Sequence, residues 1–380
     1  MIGPDTSHPA YGPGDRDGFT LITGVTGLIG NVLLAELLKS GHRCVVLMRT
    51  PVGDRMDRLI GLLEAQGIDG RAYEAGGELW CIEGSLPEAL PESPGFPIRR
   101  VVHIAASTRF CPDQSGDPAR TNGDGTRRLL RWMDRQGISE IHHVSTAYVS
   151  GETDRPAPER VASEPPRFRN VYEQSKWQAE RHIVDWGEMP GRSWTIYRPS
   201  IVVGDWHSGR AARFAGAYQA FRAFESLCQS DRADPGQPIA LRIESPPDGN
   251  INLIPVDYLA ELMGAIINHP DRHGRVYNIV HPEALSTRSF LDMILRYFGM
   301  SGVQLAEPGS VNRDNRTAIE RGFHATTRHI SPYLRQVTRF ERTNTAQAEA
   351  LLTHTCPDWD EDAIHRLIEY ARRQDWGRHA

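Results

Sequence analysis

From Phe19 onward, short runs of consecutive apolar residues alternate with stretches whose apolar positions recur every three or four residues. The continuous runs are Thr20–Ile22, Arg43–Met48, Leu79–Ile82, Val101–Ile104, Ile141–Ser145 and Trp194–Tyr197. Their length and β-rich composition predict strands. The stretches between them, such as Met56–Glu64, Gly125–Arg135 and Val171–Asp185, predict amphipathic helices. Strands apolar on both faces and separated by helices imply a parallel sheet covered on both sides, which is a doubly wound α/β fold. No internal repeat is visible.

After about Gly204 the alternation weakens. A helix is predicted over Arg210–Gln229, then a Pro-, Asp- and Gly-rich connection, a strand at Val276–Val280, and helices at Ser286–Phe298 and Glu361–Arg373. These patterns divide the chain into a flexible leader (1–18), a main domain (19–204) and a smaller C-terminal substrate-binding lobe (205–380). Within the last part, residues 251–281 return to the main domain, with Ile251–Asp257 leading into a helix over Tyr258–Ile267.

The first predicted strand runs into Thr23-Gly24-Val25-Thr26-Gly27-Leu28-Ile29-Gly30 and then a helical pattern. A strand, a glycine turn and a helix form a dinucleotide cradle. The glycines let the backbone turn tightly against a pyrophosphate, which rests on the free N–H groups of the helix start. Gly24, Thr26, Gly27, Leu28, Ile29 and Gly30 are therefore cofactor-binding candidates.

Composition narrows the setting. A formal net charge of −5 disfavours a nucleic-acid partner held by bulk electrostatics. No apolar stretch approaches the length of a membrane span, and the N-terminus lacks the basic flank and apolar core of a signal peptide. Five scattered cysteines with no CxxC pair suit a reducing cytoplasm better than a disulfide framework or zinc site. His103, His142, His143 and His207 show no ligand spacing, and His142 and His143, adjacent in a strand, point to opposite faces. No metal site is expected.

Arg49 ends the second strand, where an NAD-selective site usually places an acid, and Arg55 and Arg58 follow. Guanidinium groups can pair bidentately with a 2′-phosphate, which favours NADP(H). The competing reading makes Arg49 a solvated strand-end charge and the others an exposed helix face. Ala105 and Ala106 end the fourth strand with side chains small enough for a cofactor to lie close to the backbone.

Tyr172 and Lys176 lie four apart in a helical sequence and so share one helix face. A nearby ammonium stabilises a phenolate, which predicts a tyrosine pKa lowered toward neutrality and a competent proton donor to a carbonyl. Upstream, Ile141-His142-His143-Val144-Ser145-Thr146 delivers hydroxyls at the carboxyl edge of the sheet.

Glycine turn, strand-end hydroxyl and Tyr-x-x-x-Lys, in that order, resemble the extended short-chain dehydrogenase/reductase superfamily over residues 19–209. The resemblance implies a Rossmann domain over 19–204 that binds NADP. It puts Thr146, Tyr172 and Lys176 in the catalytic roles and gives Tyr172 and Lys176 contact with the cofactor. It assigns Asn122 to the superfamily's structural Asn and counts it among the cofactor-binding residues. Tyr197-Arg198-Pro199-Ser200-Ile201 is similar to the segment beside the nicotinamide, which puts Pro199 and Ile201 there. VVHIAASTRF, with Phe110 four positions after the paired alanines, SKWQAE and IYRPSIVVGDWHSG resemble the thioester reductase and fatty acyl-CoA reductase branch. Ser85 departs from the Asp that commonly contacts adenine, which leaves that contact open.

The branch implies NADPH-dependent reduction of an acyl thioester, bound to CoA or a carrier, to an aldehyde or alcohol. Alternatives are a ketone or aldehyde reductase, a sugar-nucleotide epimerase or dehydratase, and a non-catalytic NADP sensor; the last typically lacks the tyrosine or lysine. The sequence shows no adenylation or carrier segment, so a carrier-bound substrate is expected in trans. Superfamily members often form a homodimer through the two helices that here are Thr121–Gln136 and Val171–Trp186.

Overall fold

The chain builds β1 (Phe19–Thr23), α1 (Leu28–Lys39), β2 (Cys44–Met48), α2 (Val52–Glu64), α3 (Gly70–Gly76), β3 (Leu79–Glu83), β4 (Ile98–His103), α4 (Gly125–Gln136), β5 (Glu140–Val144), α5 (Val171–Gly187) and β6 (Ser193–Tyr197) in that order. This is a computed structural model, and it describes residues 18–229, 237–334 and 337–378. The expected leader lies outside the described residues apart from Gly18. The chain continues through β7 (Ile201–Val203), α6 (Ala217–Cys228), β8 (Leu241–Glu244), β9 (Asn250–Ile251), β10 (Leu253–Pro255), α7 (Val256–Ile267) and β11 (Val276–Tyr277). It ends with β12 (Leu285–Ser286), α8 (Thr287–Phe298), β13 (Val303–Ala306), α9 (Ala318–Thr327), α10 (Ser331–Leu334), α11 (Thr343–Glu349) and α12 (Glu361–Arg373).

The main sheet has seven parallel strands in the order β11-β6-β5-β4-β1-β2-β3. The order reverses between β1 and β4, and the carboxyl ends of these two strands open a crevice. On one face, Leu33, Leu34, Leu59 and Met263 pack over Val46 and Val102. On the other, Leu129, Trp132, Met133 and Ile183 pack over Val101, Ile141 and Ile196. Fully buried side chains of this kind each contribute about 1.5–3 kcal/mol. These two layers are the doubly wound architecture that the hydrophobic pattern predicts.

Residues beyond Gly204 divide their attachments. β11 joins the main sheet beside β6, and α7 packs on α1. A separate core of Phe221, Phe224, Phe290, Ile294, Phe323 and Leu367 gathers under α6, α8, α9 and α12. Its short two-stranded sheets pair β8 with β13, β9 with β12 and β7 with β10. The helix expected from Arg210 begins only at Ala217. Gly209 and Gly216 hold φ values of +71° and +61°, which interrupt helical geometry before α6.

A buried ion pair fixes α5 to the sheet. Arg198, just after β6, donates from Nε and Nη2 to the two oxygens of Glu180 at 2.8 and 2.6 Å. Its remaining donors reach the carbonyls of Pro158 and Arg160. Breaking one side of such a pair strands a buried charge and costs about 3–5 kcal/mol. Arg198→Met is therefore expected to lower the unfolding free energy by about that amount, as read from urea denaturation.

Candidate functional site

One cleft of about 1040 Å³ runs along the carboxyl edge of the main sheet and into the C-terminal core. Its first half is the glycine turn. Gly24 holds φ +78°, and a Cβ there would stand 2.7 Å from the Ala105 amide nitrogen. A Cβ on Gly30 would run into the Gly24 carbonyl. Gly24, Thr26, Gly27, Leu28 and Ile29 line the cleft, whereas Gly30 lies behind it as the residue that lets α1 close on the turn. α1 starts at Gly27 with no side-chain cap and no acid in its first turn, so its leading N–H groups face the cleft free of an internal anion.

Thr23 stitches the crevice shut beneath this turn. Its Oγ1 accepts from the Ile104 and Ala105 amides at 3.1 and 3.0 Å and lies 2.9 Å from His103 Nδ1. Ala105 and Ala106 line the cleft as expected. At the far end of β2, Arg49 lines it together with Arg55, whose buried Nε has no partner. Arg58, the expected third cation, lies outside the lining. Arg213, which sequence reasoning did not single out, takes part instead. Its guanidinium is held below the usual arginine range by partial burial and by the charges of Arg58 and Arg49. Ser85 also lines the cleft, with a buried Oγ that has no partner. Orphaned polar atoms, uncapped helix amides and a backbone cradle that a Cβ would fill together fit a bound dinucleotide.

Asn122 does not reach the cleft. It sits buried in the π-helical turn Arg120–Asp124 and clamps the backbone of Ser107, accepting from its amide and donating to its carbonyl. Its Nδ2 also donates to Ser175 Oγ at 2.9 Å. Its role is to hold the strand-end loop against α5, one step removed from any ligand.

The structure brings Thr146, Tyr172 and Lys176 to one wall of the cleft, with Pro199 and Ile201 beside them. Thr146 Oγ1 accepts from the Tyr148 amide, which leaves its hydrogen available to an oxygen in the cleft. Ser145 and Ser200 add buried hydroxyls without partners on the same wall. Lys176 is 1% exposed, and its Nζ donates to the Val144 carbonyl at 2.7 Å and lies 3.1 Å from His143 Nε2. Burial pushes its pKa down to about 7.

The tyrosine departs from the sequence expectation. Burial and the neighbouring Glu173 carboxylate push the Tyr172 phenol above its usual range, not toward neutrality. The Lys176 ammonium is engaged by Val144 and His143, so it does not offset that burial. Tyr172 therefore rests as a neutral phenol, the protonation state of a donor.

The second half of the cleft has an apolar inner wall and a polar rim of Thr327, Arg328 and His329. Phe224, Ile243, Ile251, Phe290, Leu291 and Phe323 form its inner wall, and Gln219 contributes a lone unpartnered Oε1. At the mouth, Phe110 stands 6.0 Å from the Tyr172 ring and 5.8 Å from Tyr333. Tyr333 accepts from Asn170 Nδ2 at 2.8 Å, and Asn170 Oδ1 caps α5 by accepting from the Glu173 amide. No sequence spacing signals Tyr333.

Elsewhere, Glu140, His142 and His273 place ligand atoms within 4.8 Å of one another, a convergence the sequence did not suggest. Arg100 Nε already lies 3.0 Å from Glu140 Oε1, and His142 Nε2 lies 2.9 Å from the same oxygen. That geometry satisfies the carboxylate internally.

Comparison with known proteins supplies the family. The sequence profile described as male sterility protein matches residues 22–263. The chain belongs to that family, a branch of the extended short-chain dehydrogenases that includes thioester reductases. The matched profile is an NAD-binding one, and the cofactor class is a nicotinamide dinucleotide.

The chain is 27% identical over 282 residues to the hybrid PKS-NRPS synthetase mycA of Thermothelomyces thermophilus, spanning 69% of this chain and 6% of that protein. It is 26% identical over 298 residues to the non-canonical nonribosomal peptide synthetase FrzA of Cladobotryum sp, spanning 70% of this chain and 26% of that protein. The chain thus matches only a small part of these much longer relatives. Among solved structures, the terminal R domain of the myxalamid PKS-NRPS pathway superposes with TM-score 0.76 at 21% identity, covering 94% of this chain and 91% of that one. MoeE5, in complex with UDP-glucuronic acid and NAD, superposes with TM-score 0.63 at 21% identity, covering 94% and 100%. These superpositions establish the fold.

The buried lysine carries a testable linkage. Its folded pKa, about 7, lies below its ordinary value of 10.5, so the unfolded chain binds the extra proton between these limits. Stability should therefore rise with pH above 7 through this group. In the cofactor-free protein, the unfolding free energy of the wild type should gain on that of Lys176→Met between pH 7 and 9, by up to about 1.4 kcal/mol per pH unit. Chemical denaturation at several pH values checks this.

Proposed function

We propose that this protein is an NADPH-dependent reductase of acyl thioesters, bound to CoA or to a carrier protein, yielding an aldehyde or alcohol. The observation that carries this reading is the cleft itself. A proton-donor wall of Thr146, Tyr172 and Lys176 meets a dinucleotide cradle at one end and an apolar chamber at the other. The chamber also weighs against the alternatives. A sugar nucleotide needs polar partners for its hydroxyls, whereas the inner wall of Phe224, Ile243, Phe290 and Phe323 offers none and the polar groups lie at the rim, with Thr327, Arg328 and His329. The presence of both Tyr172 and Lys176 weighs against a non-catalytic sensor.

In this reading residues 19–204 form the NADP-binding domain, and much of 205–380 forms the substrate lobe. The bound nicotinamide supplies hydride to the thioester carbonyl carbon. Thr146 donates a hydrogen bond to the oxygen as negative charge develops there. Tyr172, held neutral by its surroundings, gives that oxygen its proton. Lys176, fixed by Val144 and His143, orients the site and restores charge balance near Tyr172. The resulting hemithioacetal breaks its carbon–sulfur bond; the sulfur leaves as the thiol with the hydroxyl proton, and the aldehyde remains.

The thiolation-reductase di-domain of an archaeal nonribosomal peptide synthetase, with TM-score 0.71, joins a reductase to a thiolation domain in one chain. A carrier-bound substrate for this protein is in keeping with that pairing, as is the reducing cytoplasm suggested by its cysteine pattern. No helix among the described residues is long and apolar enough to cross a membrane. The face of α4 that a homodimer through α4 and α5 would bury carries Arg127, Arg131 and Arg135, with Arg127 paired to Asp124 at 2.7 Å.

Two measurements test the proposal. NADPH oxidation should proceed with acyl-CoA or acyl-phosphopantetheine substrates; turnover of ketones or sugar nucleotides with none of thioesters overturns it. Tyr172→Phe should lower thioester turnover by about 10²–10⁴-fold with little change in NADPH affinity.

A further inference from the structure

We propose that the cofactor's 2′-phosphate is gripped from both lobes, with Arg213 closing on it from the segment that begins α6, and that this grip sets the substrate chamber. The inference rests on the NADP reading above and adds to it a residue and a coupling.

Arg213 is exposed along the same cleft that Arg49 and Arg55 line. The charges that perturb it, Arg58 and Arg49, are both positive. None of Arg49, Arg55, Arg58 and Arg213 pairs with a carboxylate among the described residues. The buried Nε of Arg55 lacks any partner. Four guanidinium groups gathered without a counter-ion repel one another, and an anion of high charge density placed among them turns that repulsion into attraction. The cluster lies beside the end of β2, at the position where a dinucleotide presents its adenosine ribose.

The mechanical link is short. Arg210, three residues earlier, donates to the Ala65 carbonyl that follows α2, the helix carrying Arg55 and Arg58. Two residues after Arg213, Ala215, Gly216 and Ala217 line the cleft, and Gly216 is the N-cap residue that leads into α6 at Ala217. From α6, Gln219, Ala220 and Phe224 face the acyl chamber. An anion that draws Arg213 toward Arg49 therefore acts on the start of the helix that walls the substrate. NADPH and the thioester are thermodynamically coupled through that helix, and NADH lacks the group that engages it.

The test uses the full chain and compares NADPH with NADH. Binding of each, measured by titration without substrate, excludes the 3′-phosphate of CoA as the source of the effect. The wild type should prefer NADPH. Arg213→Ala should weaken NADPH by about tenfold or more while leaving NADH within about twofold, and the intact NADH affinity reports a folded protein. Arg213→Lys should recover part of the loss, and the losses from Arg49→Ala and Arg213→Ala should not add. In turnover, the wild-type KM for an acyl thioester should be lower with NADPH than with NADH, and Arg213→Ala should erase that difference. A wild type that prefers NADPH, with Arg213→Ala binding it equally well, overturns the two-lobed grip alone. Equal thioester KM with both cofactors in the wild type overturns the coupling. A wild type indifferent between NADPH and NADH overturns the NADP reading and this inference with it.

Discussion

The Thr23 hydroxyl is the point on which the site turns. It receives the amides of Ile104 and Ala105 and meets His103, binding the end of β1 to the end of β4 where the strand order reverses. Because the two strand ends are held this closely, only glycine fits at position 24, and the helix start is thrown forward over an open crevice. A looser seam would leave the turn no surface to press against. The cradle and the small residues after β4 take their positions from it.

The wall carrying Thr146, Tyr172 and Lys176 depends on a second layer of constraints that reach it from behind. The Arg198–Glu180 pair fixes the middle of α5, Asn122 holds Ser175 and the strand-end loop, and Val144 and His143 fix Lys176. These groups are buried, so α5 is held by directed bonds at several successive turns. The tyrosine and lysine consequently have little freedom, and their ionisation reflects enclosure more than mutual proximity. That is why Tyr172 remains a phenol beside a lysine whose own charge is weakened.

Much of this was legible in the chain. The six predicted strands, the glycine turn and the tyrosine–lysine helix all depend on local pattern, and local pattern survives folding when both faces of a strand are buried. Four features were not legible, each for a physical reason. Arg55 and Arg58 lie three apart and share a face of α2, so only the seating of α2 on the sheet decides that Arg55 lines the cleft and Arg58 stands behind it. Arg213 and Tyr333 arrive from distant sequence positions by tertiary packing that no spacing encodes. The tyrosine's pKa depends on burial and on Glu173, whereas the sequence shows only the nearby lysine. The start of α6 was misplaced because Gly209 and Gly216 carry an otherwise helical run through left-handed geometry.

Asn170 has a consequence for how such enzymes diversify. One face of its amide caps α5, and the other gives its hydrogen to Tyr333 of the second lobe. The part of the chain that lines the far half of the cleft is thus fastened to the first turn of the helix bearing Tyr172. An exchange of lobes between relatives would change the chamber and also loosen that turn, unless a tyrosine came with the graft. Recombination in this architecture carries a compatibility rule written in a single amide.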